Sequence, residues 1–244
     1  MNRNPRPRYF GTNLKMHQTA GETAEFVARL APIARGDVQL FVIPPFTSLA
    51  STAGVAHAAN IWLGAQNLHW APSGEYTGEI SARMLRALEV DLVLVGHAER
   101  RRAFGEDDAL IRRKLEAAEL NGLRAILCVG ETAEERRCGA AAETVLRQAR
   151  LALDGIADRS RVIVAYEPIW AIGAGSQAAD PGAVAEVTAA LRELLGPTPL
   201  LYGGSVNADS AQRYARLPGI DGLFVGRAAW TPDGFERVLK AAAT

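Results

Sequence analysis

A closed barrel of eight parallel strands, each followed by a helix, is the fold class that this sequence predicts, on three observations. Eight short β-prone apolar runs alternate with eight charged, amphipathic stretches along the 244 residues. The runs are almost continuously apolar, which marks strands buried on both faces, and strands that alternate with helices pair in parallel through right-handed crossovers. Polar residues and glycines gather where the runs end, and that is where a (β/α)8 barrel carries its site. An open doubly wound sheet shares the same periodicity. No linker or low-complexity stretch interrupts the series, so residues 1–244 read as a single domain, with 1–7 as a flexible, basic, Pro-rich tail.

The first strand, Arg8 to Lys15, ends in Asn13 and Lys15, and a helical pattern from Gly21 to Ala34 follows it. Strand two, Val38 to Ile43, leads to a helix over Thr47 to Ala58, and strand three, Asn60 to Gln66, to one over Ile80 to Leu88. The fourth, Asp91 to Gly96 (DLVLVG), delivers Gly96, His97 and Glu99 into a polar stretch able to open a short helix, ahead of a longer one over Asp107 to Asn121. The fifth, Arg124 to Val129, precedes one long helical pattern, Ala133 to Leu153. The sixth, Arg161 to Glu167, carries RVIVAY and stops at Glu167, because Pro168 has no N–H to continue a ladder. Asp180 caps the next helix, Pro181 to Leu195, with proline in its first turn. The seventh strand, Pro199 to Gly203, runs into Gly204 and Ser205 before a helix over Asp209 to Arg216. The eighth, Gly222 to Val225, ends in Gly226 and Arg227, and Thr231 with Pro232 opens the last helix, Asp233 to Ala243.

Composition bounds the function. Apolar residues make up 48% of the chain, enough for a large core, and 27 basic against 27 acidic residues leave no net field to attract a nucleic acid. No apolar run is long enough to span a bilayer and no signal-type segment follows the basic N-terminus, so no membrane partner is expected. Cys128 and Cys138 have no CxxC neighbour, which reads as a reduced, cytoplasmic protein. His17, His57, His69 and His97 show no HxxxH spacing, and no metal is expected.

Each strand end admits a chemical and a structural explanation. Glu167 either takes a proton or makes an ion pair. Asn13 and Lys15, two residues apart, would point the same way on a strand and offer an amide and a fixed charge, or form a solvated end. An imidazole at His97 could donate to a substrate oxygen, and a helix N-terminus there would disfavour its cation; a satisfied structural histidine is the other reading. The glycines and serine of YGGSV, Tyr202 to Val206, could surround an anion or simply make a tight turn; a glycine in the turn after the eighth strand strengthens phosphate. Gly173, Gly175 and Ala178 spell a weak G-x-G-x-x-A, but Pro168 and Trp170 separate them from the strand, so they look like lid hinges rather than a dinucleotide turn.

Taken together, TNLKM around Asn13, GAQN at Gly64 to Asn67, YTGEIS at Tyr76 to Ser81, GHAERR at Gly96 to Arg101, CVGE at Cys128 to Glu131, AYEPIWAIGAG, YGGSV and DGLFVGRA make this sequence resemble the triosephosphate isomerase family over nearly its whole length. The resemblance implies a single-domain TIM barrel and an isomerase that needs no cofactor. It makes Glu167 the base that shuttles a proton between adjacent carbons, with Asn13, Lys15 and His97 polarising the carbonyl. It places a lid over Pro168 to Ser176 with Ile172 and Gly173 at its tip. A sugar phosphate would be held by Gly173, Ser205 and the backbone of Gly226 and Arg227. Glu99 becomes a supporting ion-pair residue. A homodimer is implied, with Tyr76 and Thr77 inserting beside the partner's Asn13 and Lys15.

Four positions depart from the family pattern: Leu14 replaces Trp, Ala98 replaces Ser, Ser176 replaces Lys and Arg227 replaces a second Gly. Ala98 removes a hydroxyl that would steady the glutamate. Arg227 would be strained if its position required φ > 0, and its guanidinium would otherwise bind phosphate or occupy substrate space. The leading expectation is interconversion of dihydroxyacetone phosphate and glyceraldehyde 3-phosphate. The alternatives are the same chemistry on a four-carbon ketose phosphate such as erythrulose phosphate, and a barrel that binds phosphorylated ligands without turnover.

Overall fold

The computed structural model describes residues 8–34, 36–173 and 178–243. The N-terminal tail, Gly175 and Ser176 therefore lie outside the described residues. The eight strands are β1 Tyr9–Asn13, β2 Gln39–Ile43, β3 Trp62–Ala65, β4 Leu92–Val95, β5 Arg124–Val129, β6 Val162–Tyr166, β7 Leu200–Tyr202 and β8 Gly222–Val225. They pair in parallel in chain order, and β8 closes on β1 through the register Tyr9↔Gly222 to Thr12↔Val225. The open-sheet alternative is thereby removed, and the chain is a single-domain (β/α)8 barrel.

Alternation along each strand sorts the core into two shells. One parity, including Phe41, Ile43, Leu94, Ile126, Ile163, Leu201 and Phe224, fills the barrel interior. The other, including Val42, Val95, Leu127, Val164, Tyr202 and Leu223, packs outward against the helices. Glycines alternate with these large groups where the interior is crowded: a Cβ at Gly11 would collide with Phe41, and one at Gly64 with Leu92.

The helices are α1 Ala20–Leu30, α2 Leu49–Ala58, α3 Ala82–Ala87, α4 Ala98–Phe104, α5 Asp108–Leu120, α6 Ala133–Arg137, α7 Ala141–Leu153, α8 Pro181–Leu195, α9 Ala211–Ala215 and α10 Pro232–Ala243. Asp180 accepts from the Ala183 N–H at 3.0 Å, and Thr231 from the Gly234 N–H at 3.1 Å, so both proline-opened helices are capped as their sequences require. Two expectations change. The single helix over Ala133 to Leu153 is two, because Gly139 adopts φ +75° and breaks the ladder between α6 and α7. The first strand stops at Asn13 rather than Lys15, whose φ of +52° cannot continue a strand.

Candidate active site

The C-terminal strand ends open into one cavity of about 430 Å3, to which Asn13, Lys15, His97, Glu167, Gly203 and Arg227 all contribute. These groups lie up to 214 residues apart in sequence (227 − 13) and converge only because the barrel aligns its strand ends. Among the described residues that line the cavity Glu167 is the only carboxylate, while Lys15 and Arg227 are cations.

Glu167 follows β6, and its side chain is 5% exposed. Two glycines make room for it. A Cβ on Gly203 would sit 2.8 Å from Glu167 Cγ, and one on Gly130 would collide with the Glu167 carbonyl. Glu167 Oε2 is buried and has no hydrogen-bond partner among the described residues. Below it, burial and then the Glu167 charge push the Cys128 thiol well up, so it stays a neutral neighbour.

His97 is the N-cap of α4, and its Nδ1 accepts the Glu99 N–H at 3.2 Å. That hydrogen bond assigns the proton of the neutral ring to Nε2, which stands 3.8 Å from Glu167 Oε1. The short helix anticipated after the fourth strand thus fixes the tautomer of the histidine that opens it.

Asn13 and Lys15 are not brought together by strand pleating. Beyond β1 the chain turns, and the Lys15 N–H donates to Asn13 Oδ1 at 2.9 Å while Gln66 Nε2 donates to the Lys15 carbonyl at 2.7 Å. With Oδ1 occupied, the Asn13 amide has its NH2 left to offer. Lys15 Nζ donates to Glu99 Oε1 at 2.7 Å. Burial pulls the Glu99 carboxyl up, but the Lys15 hydrogen bond and the surrounding positive charge outweigh it and hold the group below its ordinary value.

The proposed phosphate residues Ile172, Gly173, Ser205, Gly226 and Arg227 also line the cavity. In the YGGSV turn the Gly203 N–H donates to the Tyr166 carbonyl at 2.8 Å and the Ser205 N–H to the Ala171 carbonyl at 2.9 Å, so neither amide is held for an anion. After β8 the N–H groups of Gly226 and Arg227 donate to no described residue. Arg227 opens a one-turn 3-10 helix, Arg227–Ala229, and is not among the positive-φ residues, so the feared strain is absent. Its guanidinium is exposed and forms no ion pair with a described residue. Ile169–Ala171 make a 3-10 turn that leads to Ile172 and to Gly173 at φ +109°, a conformation suited to glycine.

Tyr76 and Thr77 do not line the cavity. Tyr76 is 45% exposed, on a loop stiffened by its ring lying 4.1 Å from that of His69. Sequence reasoning passed over the space-making role of Gly203, the anchor Gln66, and Trp230, which lines the cavity and donates its indole N–H to the Asn13 carbonyl at 2.9 Å. The GAQN motif was the one available signal for Gln66. Among the described residues no three His, Cys, Asp or Glu side chains gather as a metal-ligand set, and no helix is long and apolar enough to cross a membrane.

Barrel and cavity together define a (β/α)8-barrel enzyme with its polar groups on the C-terminal face. A family model described as triosephosphate isomerase matches residues 8–242, and the chain belongs to that family of isomerases. It is 41% identical over 245 residues to a protein named L-erythrulose-1-phosphate isomerase from Rhizobium rhizogenes strain K84, covering 96% of this chain and 94% of the relative. It is 42% identical over 243 residues to the triosephosphate isomerase of Synechococcus sp. strain JA-2-3B'a(2-13), covering 96% of each. The crystal structure of triosephosphate isomerase from Bartonella henselae superposes with a TM-score of 0.89 at 33% identity, over 98% of this chain and 100% of that one.

Proposed function

We propose that this protein isomerises a short-chain ketose 1-phosphate through an enediolate, with Glu167 as the base, and that its preferred substrate has four carbons, as in L-erythrulose 1-phosphate. The observation that carries the chemistry is the convergence of a buried carboxylate, the Nε2–H of His97 at 3.8 Å, the Lys15 ammonium and the Asn13 amide on one cavity. In a ketose 1-phosphate the C1 oxygen is esterified, so the carbonyl at C2 can migrate only to C3. Glu167 removes the C3 proton, and the electron pair becomes the C2–C3 double bond. Negative charge develops on the C2 oxygen, where Lys15, His97 Nε2–H and the Asn13 NH2 stabilise it. The proton on the C3 hydroxyl passes to the C2 oxygen, and Glu167 returns its proton to C2. With three carbons the product is an aldehyde; with four, C3 bears a hydroxymethyl group and the product is a 3-ketose. No metal or redox cofactor enters that sequence.

The four-carbon preference is supported by Arg227, an exposed guanidinium on the cavity rim where the family pattern has glycine, and by the L-erythrulose-1-phosphate isomerases at 38–42% identity. The open N–H groups of Gly226 and Arg227 are the phosphate-binding groups of this reading. A second reading, the triose reaction of glycolysis, is favoured by the 42% identity to the Synechococcus enzyme. The test is kcat/KM for erythrulose 1-phosphate and for glyceraldehyde 3-phosphate on one preparation. A larger value for the four-carbon ketose is expected; a triose value near the diffusional ceiling of about 10^8–10^9 M−1 s−1 would transfer the assignment to glycolysis. Turnover of neither, with phosphate-ligand binding intact, would leave a binding barrel.

We also propose a cytoplasmic homodimer. Its support is the exposure of Met16, at 94%, and of Tyr76, at 45%, in the loops after β1 and β3, together with two unpaired cysteines. Sedimentation velocity is expected to give a dimer that Thr77→Arg dissociates.

A further inference from the structure

We propose that Trp230 is a positioning residue, which ties the turn after β8 to the loop after β1 and so sets where the enediolate lies relative to Glu167. The inference rests on the isomerase reading for its kinetic consequence, but its structural half stands apart from it.

The register of β1 with β8 ends at Thr12↔Val225, so the next residue, Asn13, is carried past the ladder. Asn13 is 6% exposed, and a carbonyl buried there needs a donor. Trp230 Nε1 supplies it at 2.9 Å, across 217 residues of sequence. The joint is reciprocal. Gln18 Nε2 donates to the Trp230 carbonyl at 3.0 Å, and the His17 ring lies 4.4 Å from the Trp230 ring. Both ends of the loop from Asn13 to Gln18 are therefore fastened to one residue.

That loop needs fastening. Lys15 and Gln18 both sit at positive φ, +52° and +68°, a conformation unfavourable for a non-glycine residue. Such conformations persist where the surroundings over-determine them. Gln66 holds the Lys15 carbonyl from the β3 side, and Trp230 holds the segment from the β8 side. Trp230 is also the residue that closes the turn begun at Arg227, through its N–H to the Arg227 carbonyl at 3.2 Å. One side chain thus joins the turn that presents the Gly226 and Arg227 amides to the loop that presents the Asn13 amide and the Lys15 ammonium. A substrate held by phosphate at one and by its carbonyl at the other has its reacting carbons placed by that link.

Trp230→Phe keeps a ring and removes the donor. The expected result is a fall in kcat of about 10-fold, since a misplacement of about 1 Å can cost up to about 100-fold, with KM and the inhibition constant of inorganic phosphate within about 2-fold. Hydrogen exchange should quicken in the peptide spanning 9–18 and stay unchanged in the one spanning 60–67. Gln18→Asn withdraws the reciprocal bond and should act in the same direction with a smaller kcat loss; it carries the test if the Phe variant fails to fold. Unchanged kcat per folded molecule would overturn the proposal. So would a loss confined to KM and phosphate inhibition, which would make Trp230 a part of the phosphate site alone. If the wild-type protein turns over neither sugar phosphate, the isomerase reading fails by itself, and unchanged exchange in 9–18 then overturns the positioning role independently.

Discussion

His97 and Glu167 are each 5% exposed and held by short-range hydrogen bonding and glycine-sized gaps, whereas Arg227, on the same cavity, is exposed and unpaired with any described residue. His97 and Glu167 are the residues that the family resemblance expects, whereas Arg227 stands where it expects a glycine. Proton transfer tolerates little variation, because base, donor and carbon must meet within tenths of an ångström in a dry setting. Relatives with two substrate names share about 40% identity with this chain.

The strongest challenge to this division is Glu167→Gln. Turnover should fall by about 10^2–10^4-fold, with inorganic phosphate inhibition within about 2-fold; retained turnover would take the base role away from Glu167. Gly203→Ala probes the same region through space alone. The new methyl would press on Glu167 Cγ, 2.8 Å from the ideal Cβ position, and displace the carboxylate, so kcat should fall by about 10- to 100-fold with little change in KM. An equal loss in KM would mean that Gly203 serves substrate binding instead.

Arg227→Gly tests the other side. If the guanidinium selects the substrate, the ratio of four-carbon to three-carbon kcat/KM should drop by about 10-fold, the scale of one charge-assisted hydrogen bond. A parallel loss for both substrates would make Arg227 a phosphate ligand without discrimination. The smallest effect concerns Glu99. Its carboxyl is held below the ordinary value of 4.5, so its charge contributes stability that is fully present above that value and lost as pH falls through the lowered folded value. Glu99→Gln should therefore lower the thermal midpoint slightly near neutrality, with the difference from wild type shrinking below about pH 5 as the wild-type carboxylate takes up its proton.

The strands were legible because burial on both faces forces an apolar run whatever the neighbours are, and β5 and β8 begin and end where the sequence alone placed them. The helix from Ala133 to Leu153 was misread as continuous because Gly139 lies inside a favourable pattern, and only its φ of +75° shows the break. Asn13, Lys15, His97 and Glu167 were nameable in advance, since polar residues closing apolar runs stand out along a chain. Their arrangement was not. Lys15 turns left-handed because distant Gln66 and nearby Asn13 hold it there.

Sequence by itself determined the fold class, the eight strand positions and the residue types offered at the mouth, because periodicity and strand-end chemistry are local properties. Tertiary structure alone decided which amides remain open, which imidazole nitrogen carries the proton, that Gly203 makes room for Glu167, and that Trp230 caps Asn13 from 217 residues away. Those facts depend on distances between strand ends brought together by barrel closure, and no local pattern encodes a distance of that kind.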